Sequence, residues 1–295
     1  MTGEPDATGA IEAEEPADAA SAAGDEPGAE EEPAAEEEPA DEDADDPELP
    51  PSVDLGPDQA LPFLATAEIE IVGRLVAASN TTLLVALRGE VPGRGAVTAG
   101  AVYKPIRGER PLWDLPDGTL AGREVAAYLL SAASGWTIVP PTILREDAPV
   151  GAGMLQLWVE TRDDVDIAEV VRAADPRLRA IVIFDAIANN ADRKGGHLLA
   201  RPDGKIQGVD HGVTFSVEPK LRTILWGWRG TKLAQRELSA LVALRSRWPA
   251  LADELAAHLL PAEITAARAR LENLLRTGLF PQPNPNWPAV PWPWY

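Results

Sequence analysis

Regular alternation of apolar and polar residues begins just after Ala60. Glu68-Ile69-Glu70-Ile71-Val72-Gly73-Arg74-Leu75-Val76 alternates and is rich in β-branched residues, which predicts a strand. Thr82 to Leu87 is a second apolar run, and the polar Ser79-Asn80-Thr81 between the two predicts a hairpin. A Gly/Pro-rich stretch from Val91 to Gly100 reads as a loop leading to a third strand, Ala101-Val102-Tyr103-Lys104-Pro105. From Thr119 to Ala133 the period lengthens, with Val125, Tyr128, Leu129 and Ala132 on one helical face. Two further strands, Thr137–Leu144 and Met154–Val159, flank a turn at Asp147–Gly153.

Beyond residue 160 the pattern is helical. Candidate helices are Ile167–Ala174, Arg177–Ala188 (opened by Pro176), Ala234–Trp248, Leu251–Leu260 and Ala262–Arg276, with Pro249 and Pro261 as the expected breaks. Residues 278–295 are rich in Pro and Trp, which excludes a regular helix or central strand. A strand-rich half followed by a helix-rich half predicts an α+β fold of two lobes with a cleft between them. The expected limits are 61–160 for the β-rich N-lobe, 161–280 for the α-rich C-lobe and 281–295 for the Pro/Trp-rich end.

Composition changes this picture at one end. Residues 1–58 hold 22 of the 47 Asp and Glu and none of the 26 Lys and Arg, so the formal charge of −21 belongs to this tail and the remainder is almost neutral. Ala/Glu/Pro/Asp low complexity without aromatics predicts a disordered acidic tail over residues 1–60, available to a basic surface on its own body or a protein partner. The body lacks the concentrated basic excess of a nucleic-acid binder. There is no cysteine, which excludes disulfides, thiolate catalysis and cysteine zinc sites. The N-terminus lacks the basic and apolar regions of a signal peptide, and no apolar run reaches the ~18 residues of a membrane span, so a cytoplasmic protein is expected.

The densest chemistry lies in Asn189-Asn190-Ala191-Asp192-Arg193-Lys194-Gly195-Gly196-His197 and, soon after, Gly208-Val209-Asp210-His211-Gly212. Phosphoryl transfer needs one carboxylate to orient a hydroxyl and another to hold Mg²⁺ against nucleotide phosphates. Asp192, in a polar loop after an apolar helix, is the candidate for the first role. Its alternative is a loop carboxylate paired with Arg193. Asp210, at the end of the strand-like 205–209, is the candidate metal ligand, against an ordinary turn aspartate. His197 is a second candidate ligand. Imidazole suits softer divalent ions, so Mn²⁺ joins Mg²⁺ as an expected ion, and the alternative is a histidine that orders its loop. Lys104 ends an apolar strand and is costly there unless its ammonium meets an anion, either a nucleotide phosphate or Glu124 on the following helix. Ser79, Asn80 and Thr81 offer amides and hydroxyls to phosphates. Lys220, Arg222, Arg229 and Lys232 around Trp226 and Trp228 read equally as an anion grip or a solvated rim, and Trp113, Trp136, Trp158 and Trp248 read as core.

The ordered set is more specific than any member of it. A strand Lys104, a helix Glu124, Asp192 with a polar residue five later, and Asp210-His211-Gly212 together resemble the phosphatidylinositol 3-/4-kinase-like branch of the protein-kinase-like superfamily. Asn190-Ala191-Asp192-Arg193 is similar to the catalytic loop of its type II phosphatidylinositol 4-kinases and bacterial toxin-type serine kinases. Tyr103-Lys104-Pro105 and Arg123 to Leu130 also resemble elements of that branch. The resemblance spans roughly residues 68–280 and is strongest to an uncharacterised bacterial family of this type. It implies a kinase-like fold and ATP-dependent transfer to a hydroxyl of a protein, small molecule or inositol lipid. Lys104 would meet the α/β-phosphates, Glu124 would fix Lys104, Asp192 would serve the nucleophile and Asp210 would bind Mg²⁺. Gln156, Trp158 and Glu160 would belong to an interlobe linker against adenine. The departure is His197, where the branch has Asn, which opens the alternative of a nucleotide-binding pseudokinase that acts as scaffold or sensor.

Overall fold

A computed structural model describes residues 52–75 and 80–294. The α+β order expected of a kinase-like chain is present. A five-stranded antiparallel sheet comes first and the larger helices follow.

The sheet contains β1 (Glu68–Arg74), β2 (Leu83–Val91), β3 (Gly95–Pro105), β4 (Thr142–Arg145) and β5 (Gly153–Leu157), in the order β1-β2-β3-β5-β4. Its period-2 alternation separates two faces. Val85, Leu87, Ala99, Ala101, Tyr103, Leu155 and Leu157 form one, a core shared with Phe63 and Leu64 of helix α1 (Pro57–Thr66). Lys104 and Gln156 lie on the other, since Lys104 pairs with Met154 and Val102 with Gln156. On β3 the single lysine therefore points away from the dry side.

Several elements differ from the sequence expectation. Helix α1 was not anticipated, and its start at Pro57 lies inside the stretch assigned to the acidic tail. Proline is preorganised for a helix's first position, and burial of Ala60, Phe63 and Leu64 holds the turn down. The expected 91–100 loop is mostly strand, because β2 and β3 pair as far as Val91–Gly95. Gly93 and Gly95, at φ of 80° and 78°, make the tight reversal. Of the expected 137–144 strand only 142–144 pairs, continued by Arg145, because Pro140 and Pro141 have no N–H to donate. Pro249 breaks nothing and sits inside the single helix α5 (Gln235–Leu255). Burial of Trp248, Leu251 and Leu255 around it offsets a proline cost of about 3 kcal/mol.

The helical half comprises α2 (Leu120–Ser134), α3 (Ile167–Arg172), α4 (Arg179–Ala188), α5 and α6 (Pro261–Thr277). Glu109 accepts from the amides of Leu120 and Ala121, which caps the start of α2. Glu237 accepts from Ala234 N at the start of α5 and takes Arg179 of α4 in a bidentate pair at 2.6 and 2.8 Å. The largely apolar α4, with Asp185 buried among its Ile, Val and Phe residues, packs in the main core between α2 and α6. A two-stranded hairpin, β6 (Leu198–Ala200) and β7 (Ile206–Gly208), follows α4. The 1–51 part of the acidic tail, Ser79 and Tyr295 lie outside the described residues.

Candidate active site

The 18-residue spacing between the two aspartates acquires a cause in the hairpin. Leu198 pairs with Gly208, so the residues just outside the pair, His197 and Val209-Asp210, meet at its open end. Val209 N donates to His197 O at 3.0 Å, and His197 Nε2 lies 3.3 Å from Asp210 Oδ2. Asp210 has φ +59°, a left-handed conformation that aspartate tolerates better than most residues.

Three distant segments converge on the other Asp210 oxygen. Lys104 Nζ of β3 donates to Asp210 Oδ1 at 2.8 Å and to Glu124 Oε1 of α2 at 2.7 Å. The second Glu124 oxygen accepts from His211 N at 2.8 Å. Glu124 therefore joins strand, helix and the 208–212 segment. Burial works against the charge on Lys104, but Asp210 and Glu124 prevail and raise its pKa above the ordinary lysine value. The Lys104 ammonium in turn holds Asp210 well below the usual carboxylate range. Glu124 is 2% exposed at its side chain, whereas Asp210 is 51% exposed. One carboxylate is structural in its surroundings and the other opens to solvent.

Beneath this cluster is a dry one. Arg193 is fully buried and forms a bidentate pair with Asp185 of α4 at 3.0 and 2.8 Å. It also donates to His197 O and Val209 O, and to His211 Nε2 at 2.7 Å. An arginine can only donate, so His211 accepts at Nε2 and carries its proton on Nδ1. Burial, helped by the Arg193 charge, drives the His211 pKa well below its usual value, consistent with a neutral ring. Burial likewise lowers that of His197, with Asp210 opposing.

Asp192 is carried on this scaffold. Asn189, at φ +53°, ends α4 in the left-handed conformation, which turns the chain out of the core. Asn190 Nδ2 donates to Asp185 and its Oδ1 accepts from Asp192 N at 3.0 Å. Asp192 is a quarter exposed and pairs with Lys194 at 3.1 Å. The alternative reading of an Asp192–Arg193 pair is thus overturned: Arg193 points inward to Asp185. Arg222 lies alongside, since its N donates to Asn190 O and its Nε to Ala191 O at 2.6 Å.

The remaining candidates fall in different places. Asn80 Oδ1 accepts from Arg110 N, and Thr81 N donates to Gly108 O, so both face the segment after β3. Gln156 is buried on the Lys104 face and donates to Thr142 Oγ1 at 2.8 Å. Trp158 N is already bound to Gly100 O, and Glu160 is exposed. Trp248 is core as expected, but Trp113 is 86% exposed. Lys220 is buried. It pairs with Asp114 and lies 4.4 Å from the Trp113 ring centroid, so its charge is neutralised across a separation of 106 residues. Sequence reasoning missed Asp185 and the Arg123–Glu263 pair at 2.6 Å. A charged residue inside an apolar helix face was the available signal for Asp185.

No group of three His, Asp or Glu side chains among the described residues forms a ready metal cage. Mg²⁺ is commonly held by one or two carboxylates together with substrate phosphates. Asp210, with an open, ionised carboxylate, fits that use, and His197 offers a neutral nitrogen beside it.

No family model matches the chain. A curated relative, protein Rv2133c of Mycobacterium tuberculosis, is 42% identical over 266 residues, covering 78% of this chain and 93% of the relative. The chain belongs to the Rv2133c family. Among solved structures, hydra Fam20 with sugar is similar at 17% identity and a TM-score of 0.47, covering 74% of this chain and 86% of that one. The Helicobacter pylori proinflammatory kinase CtkA is similar at 12% identity and a TM-score of 0.41, covering 74% and 94%. No helix among the described residues is long and apolar enough to cross a membrane.

Proposed function

We propose that this member of the Rv2133c family is an ATP-dependent phosphotransferase acting on a hydroxyl acceptor. The observation that carries the reading is Lys104 Nζ within 2.8 Å of both Glu124 and Asp210, a lysine held between a helix carboxylate and an open one. Lys104 positions and neutralises nucleotide phosphates, and Glu124 fixes Lys104. Asp210, with His197 beside it, holds the divalent ion, Mg²⁺ or Mn²⁺, whose chemistry is to neutralise charge on the phosphates. Asp192 accepts the hydrogen bond of the attacking hydroxyl and orients it. Catalysis is then positioning and electrostatics, without a covalent enzyme intermediate. Gln156, Trp158 and Glu160 border adenine, and Asn80 and Thr81 contact phosphate, a role that Ser79, outside the described residues, would share. The phosphatidylinositol 3-/4-kinase-like branch is the finer assignment, and the acceptor is a protein, small molecule or inositol lipid. The protein acts in the cytoplasm, and its acidic tail is available to a protein partner.

A second reading, nucleotide binding without transfer, draws on His197, which puts a ring nitrogen where an amide oxygen is expected. Incubation with α- and γ-labelled ATP separates the two. Transfer of γ-label alone supports the kinase, α-label in the product would mean nucleotidyl transfer, and binding with neither supports the scaffold. ATP with Mg²⁺ is expected to raise the melting temperature through binding to the native state, and Lys104→Met to abolish that rise. An unchanged rise in Lys104→Met would remove the basis of both readings.

A further inference from the structure

The Pro/Trp-rich segment 284–294 has no part in the phosphotransfer reading, yet its carbonyls end on the loops around Asp192 and His197. We propose, resting on that reading, that this segment is a positioning element of the site. It clamps the acceptor-side loops 190–197 and 219–226 and leaves the nucleotide side to β3 and α2.

The contacts run along the segment in order. The Trp287 ring lies against the Lys220 ammonium at 5.5 Å and the Arg222 guanidinium at 6.0 Å. Ala289 O accepts twice, from Thr223 N at 3.0 Å and from Trp226 Nε1 at 2.9 Å. Trp294 O accepts from Gly195 N at 3.0 Å. Arg222 passes the contact on to the catalytic loop. Its N donates to Asn190 O, its Nε to Ala191 O, and its O accepts from Arg193 N at 3.1 Å. The backbone on both sides of Asp192 is therefore braced by a residue that the segment itself holds. Gly195 opens the turn Gly195–His197, which delivers His197 beside Asp210. Two consecutive glycines give that turn little stiffness of its own, and Trp294 O supplies the tie.

Packing does not account for the segment. Of residues 281–294 only Pro291 is buried, none belongs to the main core, and Trp292 is 85% exposed. The donors it meets are the opposite, since Gly195, Thr223 and Trp226 are all buried. A buried donor stripped of its acceptor is costly, so without the segment these loops would rearrange toward water. The core of α2, α4, α5 and α6 would keep its contacts. Lys104 and Glu124 draw their partners from elsewhere, so nucleotide binding should be indifferent to the change.

The test compares the full chain with a chain ending at Pro283 and with Trp287→Ala in the full chain. Four quantities are measured: amide hydrogen exchange by mass spectrometry, the urea midpoint, ATP affinity by calorimetry, and hydrolysis of γ-labelled ATP to ADP and phosphate, with water in the acceptor's place. In the shortened chain, exchange should be at least about tenfold faster in 189–197 and 219–226 and unchanged in β3 and α2, with the urea midpoint kept. The kcat for phosphate release should fall at least about tenfold, while the KM and Kd for ATP stay within about twofold. Trp287→Ala should speed exchange in 219–226 and lower kcat in the same direction. Unchanged exchange in both loops, or a loss of ATP affinity equal to the loss of kcat, would overturn the proposal. A rise in kcat would make the segment a lid and overturn it as well. If the shortened chain does not fold, Trp287→Ala decides by the same measurements. Absence of phosphate release from the full chain would count against the phosphotransfer reading instead, and the exchange comparison would still decide whether the segment holds the loops.

Discussion

Two polar clusters meet between residues 185 and 211, and they are built on opposite principles. Lys104, Asp210, Asp192 and His197 form an open one, in which carboxylates keep a quarter to half of their surface exposed. Asp185, Arg193, Asn190 and His211 form a closed one, nearly or fully buried and tied together by internal hydrogen bonds, with His211 Nδ1 left without a partner among the described residues. The open cluster has groups to spare for a ligand. The closed one has almost none. On the proposed function, the difference separates residues that would do chemistry from residues that hold them, although both clusters carry charged side chains. Glu124 is the exception that joins them, since one of its oxygens serves Lys104 and the other His211 N.

The comparison breaks most visibly at Asp185. Asp185→Ala leaves a buried guanidinium unpaired and should cost about 3–5 kcal/mol of stability in urea unfolding, with activity lost along with the fold. A cost under about 1 kcal/mol would mean that Arg193 finds water or another acceptor and that the closed cluster is not a scaffold. At Asp192 the expected pattern is reversed. Asp192→Asn keeps the backbone bond to Asn190, so the urea midpoint and ATP binding should be unchanged while phosphoryl transfer falls by about 10²–10⁴. Equal loss of ATP affinity would move Asp192 out of the acceptor role.

A smaller effect is expected at Gly208. A Cβ there would stand 3.0 Å from the Arg193 guanidinium, which is pinned on every side, so Gly208→Ala should destabilise by about 1–3 kcal/mol. No effect would show that the closed cluster has slack. The smallest effects concern the N-terminus. A chain beginning at Ser52 should melt within about 0.5 kcal/mol of the full protein, because composition gives residues 1–51 no core to build. One beginning at Leu61 removes the first turn of α1 with the buried Ala60 and should melt measurably lower. Equal melting of the two would return the boundary to residue 60.

Much of the open cluster was legible in the chain. Lys104 after an apolar strand, Glu124 in the next helix and Asp210 between glycines are each anomalies against a local pattern, and the structure brings all three together. The closed cluster was not legible. Arg193 beside Asp192 invites a neighbour pair, yet its partner lies eight residues back across the end of α4, because Asn189 turns the chain and sends alternate side chains to opposite sides. The same limit explains Trp113 and Lys220. Trp113 reads as core and Lys220 equally as anion grip or rim until Asp114, 106 residues from Lys220, pairs with it and leaves the lysine buried and the Trp113 ring exposed.

By itself the sequence determined the strand-rich then helix-rich order, the acidic tail's charge and the identity of the candidate polar groups. Those follow from periodicity and composition, which act over a few residues. Tertiary structure alone decided that β2 and β3 zip through a glycine-rich turn, that Pro249 stays inside a helix and that His211 accepts rather than donates. Each of these is settled by which distant surfaces touch. Burial against a distant partner is worth several kcal/mol, enough to override a local preference of one to three.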